Sequence, residues 1–225
     1  MPEILFEDKD VLVVNKPAGM IVYPDGKHAY PALSGWLDEY KKTGGFSEFH
    51  FVHRIDRETS GVLIVALNEK THEFLKEQFQ NREVRKTYRA FVLGTLKDER
   101  GMINKPIGSS RGGAGPRSAK QPKGTMREAL TIYRTIARGG GATYVEVFPK
   151  TGRTHQIRVH FSAIGHPIAA DVLYGSTGSK GPFGFKRLAL HALSLALIMP
   201  NGKEMTFTAP LPEDFLVAEK ELKLA

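Results

Sequence analysis

Residues 53–61 read His-Arg-Ile-Asp-Arg-Glu-Thr-Ser-Gly and run without a break into the apolar stretch 62–67, Val-Leu-Ile-Val-Ala-Leu. A short apolar run behind a glycine-bounded turn reads as a buried strand. Whatever the fold, it has to carry a charged loop on the end of a core strand. That loop sets a single carboxylate, Asp56, between Arg54 and Arg57. Flanking cations favour the ionised form of a carboxylate, and Gly61 allows a turn sharp enough to aim a side chain into a cleft. A solvated ion-pair loop has the same composition, so on this stretch alone active site and charged surface weigh equally.

The rest of the chain supplies short strands with interspersed helices. Residues 4–6 and 11–14 predict a hairpin around Asp8-Lys9-Asp10, followed by the pattern-breaking Asn15-Lys16-Pro17-Ala18-Gly19. Helical composition covers 31–42, with Leu33 and Leu37 four apart. Asn68 is a natural N-cap for a helix reaching Asn81, with His72, Leu75 and Phe79 as its buried stripe. The alternation in 86–93 predicts a strand that sets Tyr88 on one face and Arg89 on the other. Two further strands, 129–137 and 143–148, flank Gly139-Gly140-Gly141. A second dense polar run, 151–160, predicts a helix capped by Thr151 or Thr154, with Ile157, Phe161 and Ile164 inward and Arg158 on a face free to meet a carboxylate or phosphate. Residues 188–197 form an apolar element around a structural His191, 205–208 a last strand and 212–224 a terminal helix. The pattern is that of an α+β fold, a mainly antiparallel sheet with flanking helices and a central cleft. With 225 residues and no linker, a single domain over 1–225 is expected.

Composition narrows the chemistry. There is no cysteine, which removes disulfides, thiolate metal sites and cysteine nucleophiles and is compatible with a reducing cytoplasm. No apolar stretch reaches membrane-spanning length and the first residues lack a signal-peptide pattern. His155 and His160, five apart on the expected helix, do not stack as metal ligands, so no metal is assigned. The net charge of +8 is unevenly placed: residues 101–203 hold fifteen Lys and Arg against three acids. Cations concentrated in this way suit a polyanion. Within that region, 106–124 is rich in glycine and carries Arg111, Arg117, Lys120 and Lys123 with no acid. It predicts a mobile basic segment with no core of its own, and a loop that orders on a phosphate backbone and a disordered hairpin tip weigh equally.

Several reaction classes fail on their residues. A protein kinase uses a comparable His-Arg-Asp loop but also needs a following Asn, a Gly-rich phosphate loop and Asp-Phe-Gly, which are missing here. A zinc deaminase needs cysteine ligands, and a dinucleotide enzyme a Gly-x-Gly turn between strand and helix. One activated carboxylate on a basic protein remains, adequate as nucleophile or base toward a sugar or nucleobase.

The run His53-Arg54-Ile55-Asp56-x-x-Thr59-Ser60-Gly61 resembles the signature of the RluA-type pseudouridine synthases, with Ile55 in place of the usual Leu. Asn15-Lys16-Pro17-Ala18-Gly19, Lys86-Thr87-Tyr88-Arg89-Ala90, the run 151–160, Gly165-His166-Pro167-Ile168, Asp171-x-x-Tyr174-Gly175 and Leu190-His191-Ala192 are similar to further family segments in the same order. Tyr23 stands where many members have His. The likeness extends over about residues 4–211. Larger members also carry an S4-like RNA-binding domain, for which the chain leaves no room, so a short form is expected.

The resemblance implies an isomerase that converts uridine in RNA to pseudouridine without cofactor. Asp56 is then the catalytic carboxylate, either as covalent nucleophile or as the base that gives a glycal. Arg158 is its ionic partner, and Tyr88 stacks on the extruded uracil. Arg54 holds the RNA backbone, and Lys120 and Lys123 contact phosphates. The implied partner is a ribosomal or transfer RNA stem-loop, and the protein is expected to be a cytoplasmic monomer. The competing expectation is a non-catalytic RNA-binding protein that keeps the fold.

Overall fold

The computed structural model describes residues 1–24, 26, 29–109, 116–119, 123–175 and 182–224. In chain order the strands are β1 (Glu3–Glu7), β2 (Val11–Lys16), β3 (His50–Phe51), β4 (Ser60–Ala66), β5 (Arg85–Leu93), β6 (Arg100–Asn104), β7 (Ile107–Ser109), β8 (Arg117–Ser118), β9 (Lys123–Arg127), β10 (Leu130–Gly139), β11 (Ala142–Pro149), β12 (Leu190–Ile198) and β13 (Glu204–Thr208). The helices are α1 (Leu33–Tyr40), α2 (Glu69–Gln80), α3 (Gln156–Ala163) and α4 (Glu213–Leu224). The chain forms two compact units, Met1–Lys86 with Ala192–Pro210 and Thr87–His191 with Leu211–Ala225. Their boundaries fall inside β5 and β12, so the chain passes between them without a linker.

In the first unit the strand order is β1-β2-β4-β12, with β3 beside β4 and β13 beside β12. The expected hairpin forms because Asp8 Oδ1 accepts from the backbone N–H of Asp10 and of Val11, each at 2.8 Å. β2 and β4 pair antiparallel from Val11 opposite Ala66 to Lys16 opposite Gly61. Residues 11–14 and 60–66 are buried without alternation, which is why the sequence of β4 is continuously apolar. Gly61 has a specific reason to be glycine. Its φ is +118°, and a Cβ there would stand 2.1 Å from the Ala192 carbonyl oxygen.

Asn68 caps α2 as expected, its Oδ1 accepting from Thr71 N–H at 2.9 Å. The buried stripe of α2 differs from the expected one: it is Thr71, Leu75 and Gln78, while His72 and Phe79 are half-buried. Gln78 belongs inside because its amide exchanges two hydrogen bonds, both 2.9 Å, with the backbone of Ile198. A polar side chain that continues a strand's ladder is buried at little cost, and hydropathy cannot see it.

The second unit is built on the antiparallel order β5-β11-β10-β6. Ala90, Phe91 and Val92 of β5 are all buried, so the expected alternation is lost where both faces are covered. The segment 166–169 runs beside β5, with Leu93 N–H donating to Pro167 O at 2.8 Å and Ala169 N–H to Phe91 O at 2.8 Å. Phe91, Tyr144, Phe161, Phe185 and Phe215 fill the core, the last from α4. Across the sheet, Glu146 accepts from Arg89 at 3.0 Å and Arg134 at 2.6 Å, three charges in neighbouring registered positions.

The stretch expected to be a basic loop contains a small sheet. β7 lies between β8 and β9, and Ile107 packs with Ala129 and Val159, flanked by Ala119 and Tyr174. A few apolar side chains at its ends anchor a segment whose mean composition predicts none. Lys120 lies outside the described residues, and Lys123 opens β9.

Candidate active site

In the first unit the Asp56 loop is held through its backbone. Lys16 ends β2 fully buried, and its Nζ donates to the carbonyls of Pro17 (2.9 Å), Met20 (2.8 Å) and Arg57 (3.3 Å). Gly19 N–H donates to the same Arg57 carbonyl at 2.8 Å, and Thr59 N–H to the Asp56 carbonyl at 3.1 Å. The carbonyls of Asp56 and Arg57 are thus fixed, and the half-buried Asp56 side chain projects from a backbone with little freedom. The Asn-Lys-Pro segment acquires a physical task here. Its lysine ties the first loop of the unit to the Asp56 loop.

The neighbours of Asp56 have distinct environments. Arg57, read from sequence as one of two cations flanking the carboxylate, pairs with Glu58 at 2.6 Å and lies over the Tyr30 ring at 4.1 Å. Arg54 is exposed. Tyr23 packs edge-on against Phe51 at 4.7 Å, and burial raises its phenol above the ordinary tyrosine value while Arg54 pulls the other way. His53 is a neutral structural group. Its Nε2 accepts from Ile64 N–H at 3.0 Å and its ring stacks on Phe79 at 4.6 Å. Desolvation, helped by the Lys86 cation, lowers its pKa to about 3. Burial likewise pushes the Lys86 amine below the ordinary lysine value.

In the second unit α3 is organised by Gln156, not by a threonine cap. His155 stands at the helix start in the left-handed region, φ 55° and ψ 22°, with no side-chain cap. The buried Gln156 carbonyl accepts from Thr151 Oγ1 at 2.6 Å and Arg153 N–H at 3.0 Å. Its amide donates to Leu130 O and Thr131 Oγ1, both at 3.0 Å. One side chain therefore fixes the turn before the helix and joins it to β10.

Arg158 was expected on a face away from the core; it is 2% exposed. Its Nε donates to Asp171 Oδ2 at 2.9 Å and its Nη2 to Asp171 Oδ1 at 2.8 Å, a side-on pair in which both groups are buried. Asp171 Oδ1 also accepts from the N–H of Leu173 and Tyr174, at 3.0 and 3.1 Å. Tyr174 lies under the Arg158 guanidinium at 5.2 Å and meets His155 Nδ1 through its hydroxyl at 2.8 Å. The helical period places Arg158 correctly away from Ile157. A burial by ion pairing is invisible without Asp171, thirteen residues on.

His160 is fully buried, its Nε2 donating to Lys105 O and its Nδ1 accepting from Thr131 Oγ1, both at 2.9 Å. Desolvation lowers its pKa, partly offset by the Lys105 carbonyl. Tyr88 is half-buried on β5 opposite Val147, against the aromatic core. His191 is fully buried, 6.0 Å from the Phe215 ring, as expected for a structural histidine.

Sequence reading gave no role to Lys16, Gln156, Asp171 or Tyr174, although each lies in a segment it singled out. The available signal was polar residue types in otherwise apolar surroundings, which marks importance but not partners.

A family model described as RNA pseudouridylate synthase matches residues 10–163. An uncharacterized RNA pseudouridine synthase of Synechocystis is 36% identical over 218 residues, covering 95% of this chain and 66% of that protein. A Zymomonas mobilis protein named ribosomal large subunit pseudouridine synthase D is 36% identical over 234 residues, covering 99% of this chain and 73% of its own length. The chain thus spans roughly two thirds to three quarters of these relatives. Among solved structures, human RNA pseudouridylate synthase domain containing 1 superposes with a TM-score of 0.78 at 31% identity, over 94% of this chain and 84% of that one. The motifs, the α+β architecture and the extent of these matches agree: the chain belongs to the RNA pseudouridylate synthase family, whose members are isomerases.

Proposed function

We propose that this protein isomerises a uridine of a structured RNA, with Asp56 as the catalytic carboxylate. The N-glycosidic bond between the ribose carbon and N1 of uracil breaks, the base turns, and C5 bonds to the same ribose carbon. The C5 proton then leaves and a proton returns to N1, so atoms and electrons balance with no redox partner. Asp56 acts at the ribose or the base, as nucleophile or as base, with Arg158 as its ionic partner. Tyr88 stacks on the uracil once it has left the helix, and Arg54 with the lysines Lys120 and Lys123 takes the phosphates. The observation that carries the reading is the Asp56 loop, whose backbone is fixed by a fully buried lysine as a positioned carboxylate requires. The name of the Zymomonas relative favours large-subunit ribosomal RNA over transfer RNA as the substrate class.

The test is incubation of the protein with total RNA lacking its own modification, followed by mapping of pseudouridine. One or a few new sites in ribosomal RNA are expected. Sites confined to transfer RNA would move the substrate class, and none at all would favour a binding protein that has kept the fold. Exchange of Lys120 and Lys123 for alanine is expected to weaken RNA binding and flatten its salt dependence by about one unit of slope per lost contact.

A further inference from the structure

α2 opens with Glu69-Lys70-Thr71-His72-Glu73, so Glu69, His72 and Glu73 occupy neighbouring positions of one helix face. β3 brings His50 beside them. The His50 and His72 rings stack at 5.0 Å with an interplanar angle of 18°. Glu69 bridges the pair: its Oε2 lies 3.5 Å from His50 Nδ1 and its Oε1 3.4 Å from His72 Nδ1. One ligand atom from each of the three residues can be chosen so that all lie within 4.8 Å of one another.

These separations are long for hydrogen bonds, which centre near about 2.9 Å. They suit ligands of a small ion, since two donors held at about 2.0–2.1 Å from a tetrahedral zinc stand about 3.3–3.4 Å apart. The surroundings also resemble an outer shell. His50 Nε2 is withdrawn from solvent without a hydrogen bond, and faces Glu48 Oε2 at 3.5 Å. Glu48 is itself held, its Oε1 accepting from Glu69 N–H at 3.2 Å. A carboxylate behind an imidazole is the usual means of fixing a ligating histidine's tautomer. Glu73 adds a further oxygen 3.6 Å from His72 Nδ1, though Lys76 competes for it at 2.8 Å.

We propose that His50, His72 and Glu69 form a binding site for a divalent transition metal of the zinc class, with Glu48 as the outer acceptor for His50. Two imidazoles and a carboxylate match the preference of such ions. The site clips β3 to the first turn of α2, and the chemistry assigned to Asp56 does not use it. All three ligand side chains retain some exposure, 27% for His50, 21% for His72 and 63% for Glu69, so the ion can enter from solvent.

The experiment is calorimetric titration of the untagged, metal-stripped protein with zinc chloride, paired with thermal unfolding with and without zinc. One saturable equivalent per chain and a raised Tm are expected. His50→Ala and Glu69→Gln are each expected to weaken binding at least about tenfold and to remove the rise in Tm. Glu69→Gln keeps the shape of an exposed side chain, so circular dichroism of the metal-free variant separates loss of a ligand from loss of fold. Absence of saturable binding to the wild type, or equal binding and equal stabilisation in the folded variants, would overturn the site.

Discussion

Lys16 in the first unit and Arg158 in the second are both buried, and they are held in different ways. Lys16 Nζ donates to three backbone carbonyls, whereas Arg158 meets the carboxylate of Asp171 side-on. A lysine on carbonyls positions backbone, because carbonyls of two loops, 17–20 and the Asp56 loop, converge on one ammonium. An arginine on an aspartate positions a charge, because its planar fork fixes orientation as well as place. The first arrangement suits a loop that must present a side chain, the second a helix that must keep a guanidinium in one pose. At Arg158 charge serves geometry more than stability, since a well-packed apolar pair replaces a buried ion pair at little loss.

The largest effect expected from this contrast is at Arg158. Arg158→Met leaves Asp171 buried without its cation, at a cost of about 3–5 kcal/mol in chemical denaturation. Arg158→Met combined with Asp171→Leu is expected to recover most of that stability and none of the pseudouridine formation. Recovery of both would reduce Arg158 to a packing role. Lys16→Met removes three hydrogen bonds to backbone carbonyls, and a smaller loss is expected, about 1–3 kcal/mol. Its activity should fall further than its stability implies, because the Asp56 loop loosens while the fold persists. A variant with normal turnover would break the link between Lys16 and Asp56.

A smaller, graded effect concerns the neutral histidine behind the loop. His53 has its pKa lowered to about 3 in the folded protein, from an ordinary value near 6.5. The unfolded chain therefore binds the extra proton first as pH falls, and the contribution of His53 is intact above about pH 6.5 and lost progressively toward pH 3. The slope is at most about 1.4 kcal/mol per pH unit. His160, lowered in the same direction, adds to it. Urea midpoints measured between pH 7 and 4.5 should fall less steeply for His53→Gln than for the wild type; parallel slopes would contradict the neutral state.

The same two regions mark how far the sequence could be read. Strand β4, the Asn68 cap and the β10–β11 hairpin follow from local pattern, because burial, capping and glycine turns act within a few residues. The motif that holds Asp56 stands out in the sequence, and the contacts that support it do not. Lys16 looked like one charge in a loop, and its contact with Arg57 spans forty-one residues. Arg158 looked outward by helical period, while Asp171 turns that face into an interior one. The stripe of α2 shifted by one residue because Gln78 is buried through hydrogen bonds to Ile198. In each case a polar side chain was internalised by a partner distant in the chain. The small sheet of β7, β8 and β9 escaped for the converse reason: too few apolar residues mark it.

The central claim is that the fixed loop exists to present Asp56. Asp56→Asn replaces one carboxylate oxygen by an amide of nearly the same size, so the loop and the RNA affinity should survive. Pseudouridine formation by this variant, measured on an RNA that the wild type modifies and checked for equal binding, is expected to be undetectable. Turnover at a rate comparable to the wild type, with binding equal, would show that another group performs the reaction and would contradict the account.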